Sequence, residues 1–192
     1  MTEVATLLPS KSIATAGDTE VTAITTACLT ERGFDPSGVK TATMHRPDAD
    51  IAAVGVGEVL IARSNTPELV GRVSVFRGVP LGAVASDLTI RVWPGERLDA
   101  DFLGYYLSYL FLTGYWRDNA GGASGTMKKI TRTQLAGISV PVPDRDTQAR
   151  VRRRLKSRLA MVDRLAMELD LEDSGIKALG PALLRQAFCG AL

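Results

Sequence analysis

A change of pattern after residue 140 most constrains what this chain can fold into. Pro141-Val142-Pro143-Asp144 closes a region of short alternating runs, because Pro143 cannot continue a strand and Asp144 is a favourable helix N-cap. Beyond it, apolar residues recur at the 4-3-4-3 spacing of a coiled coil, at Leu155, Leu159, Val162, Ala166 and Leu169. We call these five residues the seam. A helix from about Arg145 to Leu171 would be roughly 40 Å long. It is too long and too narrowly striped to bury itself against residues 1–143, so we predict that it pairs with a partner helix.

The remaining C-terminal residues predict a second, shorter helix. Gly175 is expected to end the first helix, and apolar residues then recur around Pro181, among them Leu183 and Phe188. Gly190 is expected to end this pattern. Because no strand signal occurs after Asp144, we predict two regions, residues 1–143 and a helical region of residues 144–192.

Residues 1–143 predict a mixed α+β domain. Alternating or buried apolar runs predict strands at Val59–Arg63, Gly71–Phe76, Ser86–Trp93 and Ile138–Val142. Asp99 or Asp101 is expected to cap a helix that runs through Phe111. Thr131 and Gln134 have the spacing of a helix capping box. Residues 119–126 are too rich in glycine for a helix or a strand, and we expect a loop there.

Composition indicates a chain that buries a core. Hydrophobic residues make up 45% of the 192 residues and charged residues 23%. The longest uncharged apolar run, Phe102–Trp116, is shorter than the ~20 residues that span a membrane. The first residues lack the basic and apolar stretches of a signal peptide. Cys28 and Cys189 are therefore expected to be free thiols in the cytoplasm.

The motifs of common enzymes are absent from the sequence. The glycines of residues 121–125 precede Thr126-Met127-Lys128 rather than the Gly-Lys-Ser/Thr of a phosphate-binding loop. Ser124 lacks the glycine two residues on that a nucleophile elbow requires. His45 is the only histidine and has no cluster of metal-ligating residues near it. We therefore expect a non-catalytic binding module with neither a metal nor a cofactor of its own.

Charge is distributed unevenly along the chain. The net charge is +2, but residues 145–192 carry 10 Lys and Arg against 6 Asp and Glu. Most of this excess lies in Arg150–Arg158. A basic segment of this kind can neutralise phosphates, or it can be the solvated face of a helix. The sequence leaves open whether the segment meets DNA or a partner protein.

Polar and basic residues gather at the predicted loops. They follow the first strong strand and accompany the glycine-rich segment, at Arg63, Ser64, Asn65, Arg72, Ser124, Lys128, Lys129, Thr131 and Arg132. These residue types hydrogen-bond base edges and phosphates. Each is also common in a solvated turn. Together, on a chain without enzyme motifs, they favour nucleic-acid binding.

An ordered series of motifs resembles the specificity (S) subunits of type I restriction-modification systems. The series covers residues 20–192 and comprises Gly57-Glu-Val-Leu-Ile-Ala-Arg-Ser64, Ala85–Val92, Leu103–Leu107, Gly121–Leu135, Ile138-Ser-Val-Pro-Val-Pro143 with Gln148, and Leu183–Leu192. Full S subunits carry two target recognition domains and two helical regions, whereas this chain has one of each. The resemblance is therefore to a half-size S subunit.

The resemblance implies a division of labour between this chain and its partners. Residues 1–143 would read double-stranded DNA, and residues 144–192 would pair antiparallel with the helices of a copy or of another half-subunit. Two half-sites separated by a spacer would then be read. The helices would also dock an adenine-N6 methyltransferase, which carries the S-adenosylmethionine, and a translocase-nuclease subunit would complete a restriction complex. The catalysis would lie entirely in those partners.

A second function remains open from the residues alone. The chain would then be a coiled-coil adaptor of a defence complex, and its α+β domain would bind a protein instead of reading DNA. A steep fall of affinity with salt, together with a sequence preference, separates DNA reading from this alternative.

Overall fold

The computed structural model describes residues 1–13, 17–124 and 126–189. The chain divides into two compact units, Met1–Arg152 and Arg153–Leu192. Unit 1 is mixed α+β and unit 2 is helical, so the predicted fold class is confirmed. Cys28 is buried and Cys189 is exposed, and both are free thiols, as predicted. Among the described residues, no helix is both long and apolar enough to cross a bilayer.

The strands of the described chain, in order, are β1 (Ala5–Leu8), β2 (Thr19–Ile24), β3 (Leu29–Thr30), β4 (Gly33–Phe34), β5 (Lys40–Met44), β6 (Val59–Ala62), β7 (Ser64–Asn65), β8 (Val73–Val75), β9 (Val84–Ala85), β10 (Thr89–Pro94), β11 (Gly121–Ser124) and β12 (Met127–Lys129). The helices are α1 (Arg46–Ala52), α2 (Ala100–Leu112), α3 (Tyr115–Asn119), α4 (Arg132–Ala136) and α5 (Arg145–Phe188).

The central sheet of unit 1 is antiparallel, with the strand order β1-β10-β6-β8. Strand β6 is buried along its whole length, because successive side chains point into two different cores. Val59 and Ile61 pack into the core that α2 covers, and Leu60 and Ala62 pack into a second core. This explains why β6 is a continuous apolar run rather than an alternating one.

Helix α2 begins where the sequence predicts. The Asp99 side chain accepts a hydrogen bond from the backbone N–H of Phe102 at 3.0 Å, which confirms Asp99 as the N-cap. Leu103 and Leu107, four residues apart, are completely buried against the sheet. Full burial of each of these side chains stabilises unit 1 by roughly 1.5–3 kcal/mol.

A buried ion pair joins the central sheet to α1. The side chains of Arg91 on β10 and Glu58 are 4% and 3% exposed, and the guanidinium donates to both carboxylate oxygens at 2.8 Å. Arg91 also donates to the carbonyl oxygen of Ile51 in α1 at 2.7 Å. The pair is fully hydrogen-bonded, which is the condition for keeping two charges inside a core.

The prediction of a loop across residues 119–126 is wrong, because Gly121–Ser124 form strand β11. This strand pairs antiparallel with β12. A Cβ atom placed on Gly122 would lie 2.2 Å from the carbonyl oxygen of Met127. Glycine is therefore required for the close approach of the two strands. Gly125 lies outside the described residues.

The predicted strand at Ile138–Val142 is also wrong. The segment belongs to no sheet among the described residues. Pro141 and Pro143 have no N–H to donate to a ladder. Ile138 is instead buried in the core, and the carbonyl of Ser139 accepts a hydrogen bond from the Tyr106 hydroxyl at 2.7 Å.

Helix α5 does not end at Gly175, so the prediction of two C-terminal helices is wrong. Gly175 and Pro181 both lie inside one helix. Glycine weakens a helix by only ~1 kcal/mol relative to alanine, and most surrounding residues are strong helix formers. The predicted start is confirmed, since the Asp144 side chain accepts a hydrogen bond from the N–H of Thr147 at 2.7 Å. Gly190 lies outside the described residues.

Gln148 holds the first turn of α5 within unit 1. Its side chain is fully buried. The amide oxygen accepts from the N–H of Asp99 at 2.8 Å, and the amide nitrogen donates to the carbonyl oxygens of Arg97 at 2.9 Å and Pro143 at 2.8 Å. Both the oxygen and the nitrogen of this amide are hydrogen-bonded, so a hydrocarbon side chain would leave its three partly buried backbone partners unpaired.

Candidate nucleic-acid interface

A small antiparallel sheet brings together two parts of the chain that the sequence analysis selected separately. Its strand order is β11-β12-β7. Lys128 on β12 lies opposite Asn65 on β7, and Lys129 lies opposite Ser64. Four of the nine predicted DNA-binding residues are therefore cross-strand neighbours.

The two faces of this sheet differ in exposure. Residues directly opposite each other share a face, so Ser64 and Lys129 lie on one side, together with Met127. We call these three residues the open face. Lys129 and Met127 are exposed. Lys128, on the other side, is half-buried and donates from its Nζ to the carbonyl oxygen of Ala120 at 3.3 Å.

The polar groups of β7 are only partly used inside the protein. The Asn65 side-chain oxygen accepts from the N–H of Thr66 at 2.9 Å, which leaves its amide N–H₂ as a donor. No hydrogen bond to the Ser64 hydroxyl occurs within the described residues. The Ser64 hydroxyl and the Lys129 ammonium are available to a ligand on the open face, whereas the Asn65 amide lies on the side of Lys128.

Arg63 connects the small sheet to the central sheet. Its backbone N–H donates to the carbonyl of Leu88, and its own carbonyl accepts from the N–H of Ile130, each at 2.8 Å. The guanidinium donates to the carbonyl of Asp87 at 3.1 Å. Arg63 is half-buried, so in this conformation it positions β7 and β12 rather than presenting a free charge.

Thr131 and Arg132 have structural partners. Thr131 and Gln134 form both hydrogen bonds of the capping box at the start of α4, as the spacing predicts. The two terminal nitrogens of Arg132 donate to the carbonyl oxygens of Leu7 and Leu8, each at 2.7 Å. These contacts fix α4, which follows β12 in the chain, to the end of β1.

Arg72 lies among different neighbours from the small sheet. Its guanidinium is 3.4 Å from the carboxylate of Glu31 and 5.8 Å from the ring centroid of Phe111 on α2. It lines a small cleft with these two residues. None of these contacts joins Arg72 to the open face. The side chain of Ser124 lies outside the described part of the structure.

Sequence reasoning missed two residues of this site, Gly122 and Met127. Gly122 permits the close pairing described above, and Met127 is the apolar member of the open face. Several glycines beside a basic pair were the available signal. They did not reveal a hairpin, because glycine alone does not distinguish a loop from a tightly packed strand.

The seam residues lie along α5. Leu159, Val162 and Leu169 are 47%, 60% and 65% exposed, and Leu155 and Ala166 are half-buried. Two further apolar residues expected at the partner-helix surface, Leu183 and Phe188, are 60% and 85% exposed. The described part of the chain does not cover this apolar stripe, which agrees with a helix that needs a partner.

Comparison with solved structures identifies the fold. One match is a chain from the structural analysis of complex assembly and conformational transition of the type I R-M system, with a TM-score of 0.71 and 20% identity over 97% of this chain. The chain has an HsdS-like fold. The HsdS subunit from Thermoanaerobacter tengcongensis also matches, with a TM-score of 0.63 and 20% identity over 99% of this chain.

The HsdS-like fold confirms the family resemblance of the sequence motifs at the level of structure. This chain spans 44% of the length of each of the two solved chains. No family model and no curated protein matches the sequence. These matches therefore show a shared fold.

Proposed function

We propose that this chain is one DNA-reading half of a type I specificity subunit. The observation that carries the proposal is the small sheet of an HsdS-like fold, in which Lys128 and Lys129 lie beside Asn65 and Ser64. Basic residues that bind phosphates are thereby placed next to donors and acceptors that can reach base edges.

The shape of the site suits the major groove of B-DNA. This groove admits an α-helix or a two-stranded β-ribbon, and β11 and β12 form such a ribbon. Lys128 and Asn65 lie on the other side of the sheet. On the open face, Lys129 would neutralise a phosphate and the Ser64 hydroxyl would hydrogen-bond a base edge. The Met127 side chain, on the same face, suits contact with a thymine methyl group.

The chain itself would supply recognition and no catalysis. Among the described residues, no group of three or more His, Cys, Asp or Glu side chains is arranged to hold a metal. The methyl transfer would belong to an adenine-N6 methyltransferase subunit, which would carry the S-adenosylmethionine. A translocase-nuclease subunit would join the complex for cleavage, and the assembly would act in the cytoplasm.

Two such halves would read a bipartite target. Paired through α5, they would present two recognition units related by a two-fold axis, and the target half-sites would share that symmetry when the halves are identical. The seam and the exposed residues Leu183 and Phe188 would form the pairing and docking surface.

The proposal is tested by selecting duplexes from a random pool with the purified chain and measuring affinity against salt. We expect one enriched sequence. Lys129→Ala should weaken binding to all duplexes alike and lower the salt slope by about one. The control is Lys40→Ala, an exposed lysine on the separate β5-β2-β9 sheet, which should bind like the parent. Binding without sequence preference and without salt dependence would refute the proposal and favour the adaptor function.

A further inference from the structure

The basic segment Arg150–Arg158 contains both paired and unpaired charges. Arg152 is paired, because its guanidinium donates to the Asp99 carboxylate at 3.1 Å. Arg153 and Arg154 are exposed and make no hydrogen bond or ion pair within the described residues. The unpaired charges therefore do not serve to hold the start of α5 within unit 1.

Three arginines of α5 lie on the side of the helix opposite the seam. The heptad places Leu155 and Val162 at d, so the outward positions are b, c and f. Between residues 153 and 164 these positions are held by Arg153, Arg154, Ser157, Ala160, Met161 and Arg164. We call the three arginines of this set the arginine strip. All three are exposed, and the strip extends roughly 17 Å along the helix.

The arginine strip has no counter-charge within the described chain. None of its residues takes part in a hydrogen bond or ion pair there. Asp163, the only acidic residue between positions 147 and 167, occupies position e rather than an outward position. Like charges four residues apart, such as Arg154 and Arg158, destabilise a helix. An anion that binds to the strip therefore also stabilises α5.

The composition of this face favours a phosphate backbone over a protein surface. A guanidinium stays charged at physiological pH and can form two parallel hydrogen bonds to one phosphate. A protein interface needs apolar or aromatic anchors near its centre, whereas these outward positions offer Met161 and no aromatic residue. Ser157 and Ala160 have short side chains, so a bulky ligand can approach the helix between the arginines.

We propose that the arginine strip binds the phosphate backbone of duplex DNA without reading its sequence. The strip adds affinity that is independent of sequence and steeply dependent on salt, and base reading stays with the open face of unit 1. Because the strip lies opposite the seam, a helix that pairs through the seam keeps it exposed. The inference rests on the proposed function only in that both surfaces bind DNA.

The test measures the affinity of the full chain for a ~30-bp duplex of arbitrary sequence, by fluorescence anisotropy between ~50 and ~200 mM salt. The strip variant carries Arg153→Gln, Arg154→Gln and Arg164→Gln. It should lower the slope of log affinity against log salt by about three, since each lost phosphate contact contributes ~0.9. At ~100 mM salt it should bind at least about 30-fold more weakly. Lysine at the same three positions should keep most of the slope, because the charge remains.

A control variant removes three positive charges that lie outside the strip and outside the open face. Lys40→Gln, Arg46→Gln and Lys177→Gln change exposed residues and should lower the slope by less than about one-half, because distant charges are screened. Circular dichroism checks that every variant keeps its helical content. An equal fall of the slope in the control would overturn the proposal. So would a strip variant that binds the duplex like the parent, an outcome that would favour an acidic protein as the ligand.

A crosslink locates the contact on the helix. Ser157 lies between the arginines at position f, and Ala178 occupies the same heptad position three heptads further along. Both are exposed. In a Cys189→Ser background, where the remaining Cys28 is buried, a photoreactive thiol reagent on Ser157→Cys should crosslink to the duplex. The same reagent on Ala178→Cys should give little product, and equal yields at the two positions would contradict binding at the strip.

Failure of this inference is distinguishable from failure of the proposed function. If the parent enriches one sequence and the strip variant binds arbitrary duplexes like the parent, DNA reading stands and the strip proposal fails. If the strip variant loses salt-dependent binding while the parent enriches no sequence, the strip proposal stands and base reading by the open face fails.

Discussion

Gly122 provides the sharpest test of how the small sheet is built. Alanine at this position would place a Cβ atom 2.2 Å from the carbonyl oxygen of Met127 and 3.3 Å from its carbonyl carbon. The obstacle is backbone, so a side-chain rotation cannot relieve it. The β11–β12 pairing must open or shift, and overpacking of this kind costs about 1–3 kcal/mol.

The adjacent glycine supplies the control. A Cβ atom on Gly121 would lie 3.9 Å from the carbonyl oxygen of Lys129, an ordinary van der Waals contact. Both Gly→Ala changes reduce the entropy of the unfolded chain by a similar amount. Their difference therefore isolates the close approach at Gly122.

Amide hydrogen exchange measures the effect directly. We expect Gly122→Ala to accelerate exchange of the β11 and β12 amides about 5- to 150-fold, the equivalent of the stated free energy, while β6 and β10 remain protected. DNA affinity should fall in parallel, because Met127 belongs to the open face. Unchanged hairpin exchange in Gly122→Ala would refute the steric reasoning. The same acceleration in Gly121→Ala would attribute the effect to glycine in general.

Three further changes test the interior and the start of α5. Arg91→Met should destabilise unit 1 by about 3–5 kcal/mol in chemical denaturation, because it strands the Glu58 carboxylate in the core; a loss below ~1 kcal/mol would contradict the buried pair. Gln148→Leu should cost roughly 2–4 kcal/mol in the same assay, since it leaves three partly buried backbone groups unpaired; parent-like stability would show that these bonds are dispensable. The hydrogen bonds from Thr147 lower the pKa of Asp144 below its usual value of 3.8. The stabilisation from this cap is therefore complete above that pH and is lost as the pH falls through the lowered pKa. The stability difference between the parent and Asp144→Ala should narrow with acidification below about pH 4, and a difference that is constant with pH would exclude the charged cap.

Local signals in the sequence predicted the elements whose determinants are local. Asp144 was identified as a helix cap, Asp99 as one of two candidates for another, and Thr131 with Gln134 as a capping box. Each of these depends on residues three positions apart. The buried strand β6 was predicted from its apolar run. Only the structure shows that β6 is buried on both faces, because a separate core packs against each face.

Two of the three failed predictions concern residues whose outcome depends on distant neighbours. Residues 121–124 form a strand because β12 lies close enough to pair with them. Residues 138–142 form no strand, although their side chains alternate between more buried and more exposed positions as predicted. Gly175 did not break α5, because a single glycine is a small penalty in a long helix. In each case the neighbouring structure outweighed a weak local conformational preference.

The same distinction separates the candidate site residues. The sequence selected nine polar and basic residues by type and position, but the structure gave them different surroundings. Lys129 and Ser64 share the open face, whereas Arg132 donates to β1 and Arg72 lies against Glu31 and Phe111. Long flexible side chains of one residue type reach many partners, so their pairing is not readable from sequence spacing.

The amino-acid sequence by itself determined the α+β class, the helix caps, and the apolar seam along α5. These follow from periodicities and short-range hydrogen bonds, which act between residues only a few positions apart. Only the tertiary structure decided that β7 and β12 are neighbours, and therefore which of the selected side chains lie together. Cross-strand pairing joins residues that are far apart in the chain, and its register depends on the packing of the whole unit.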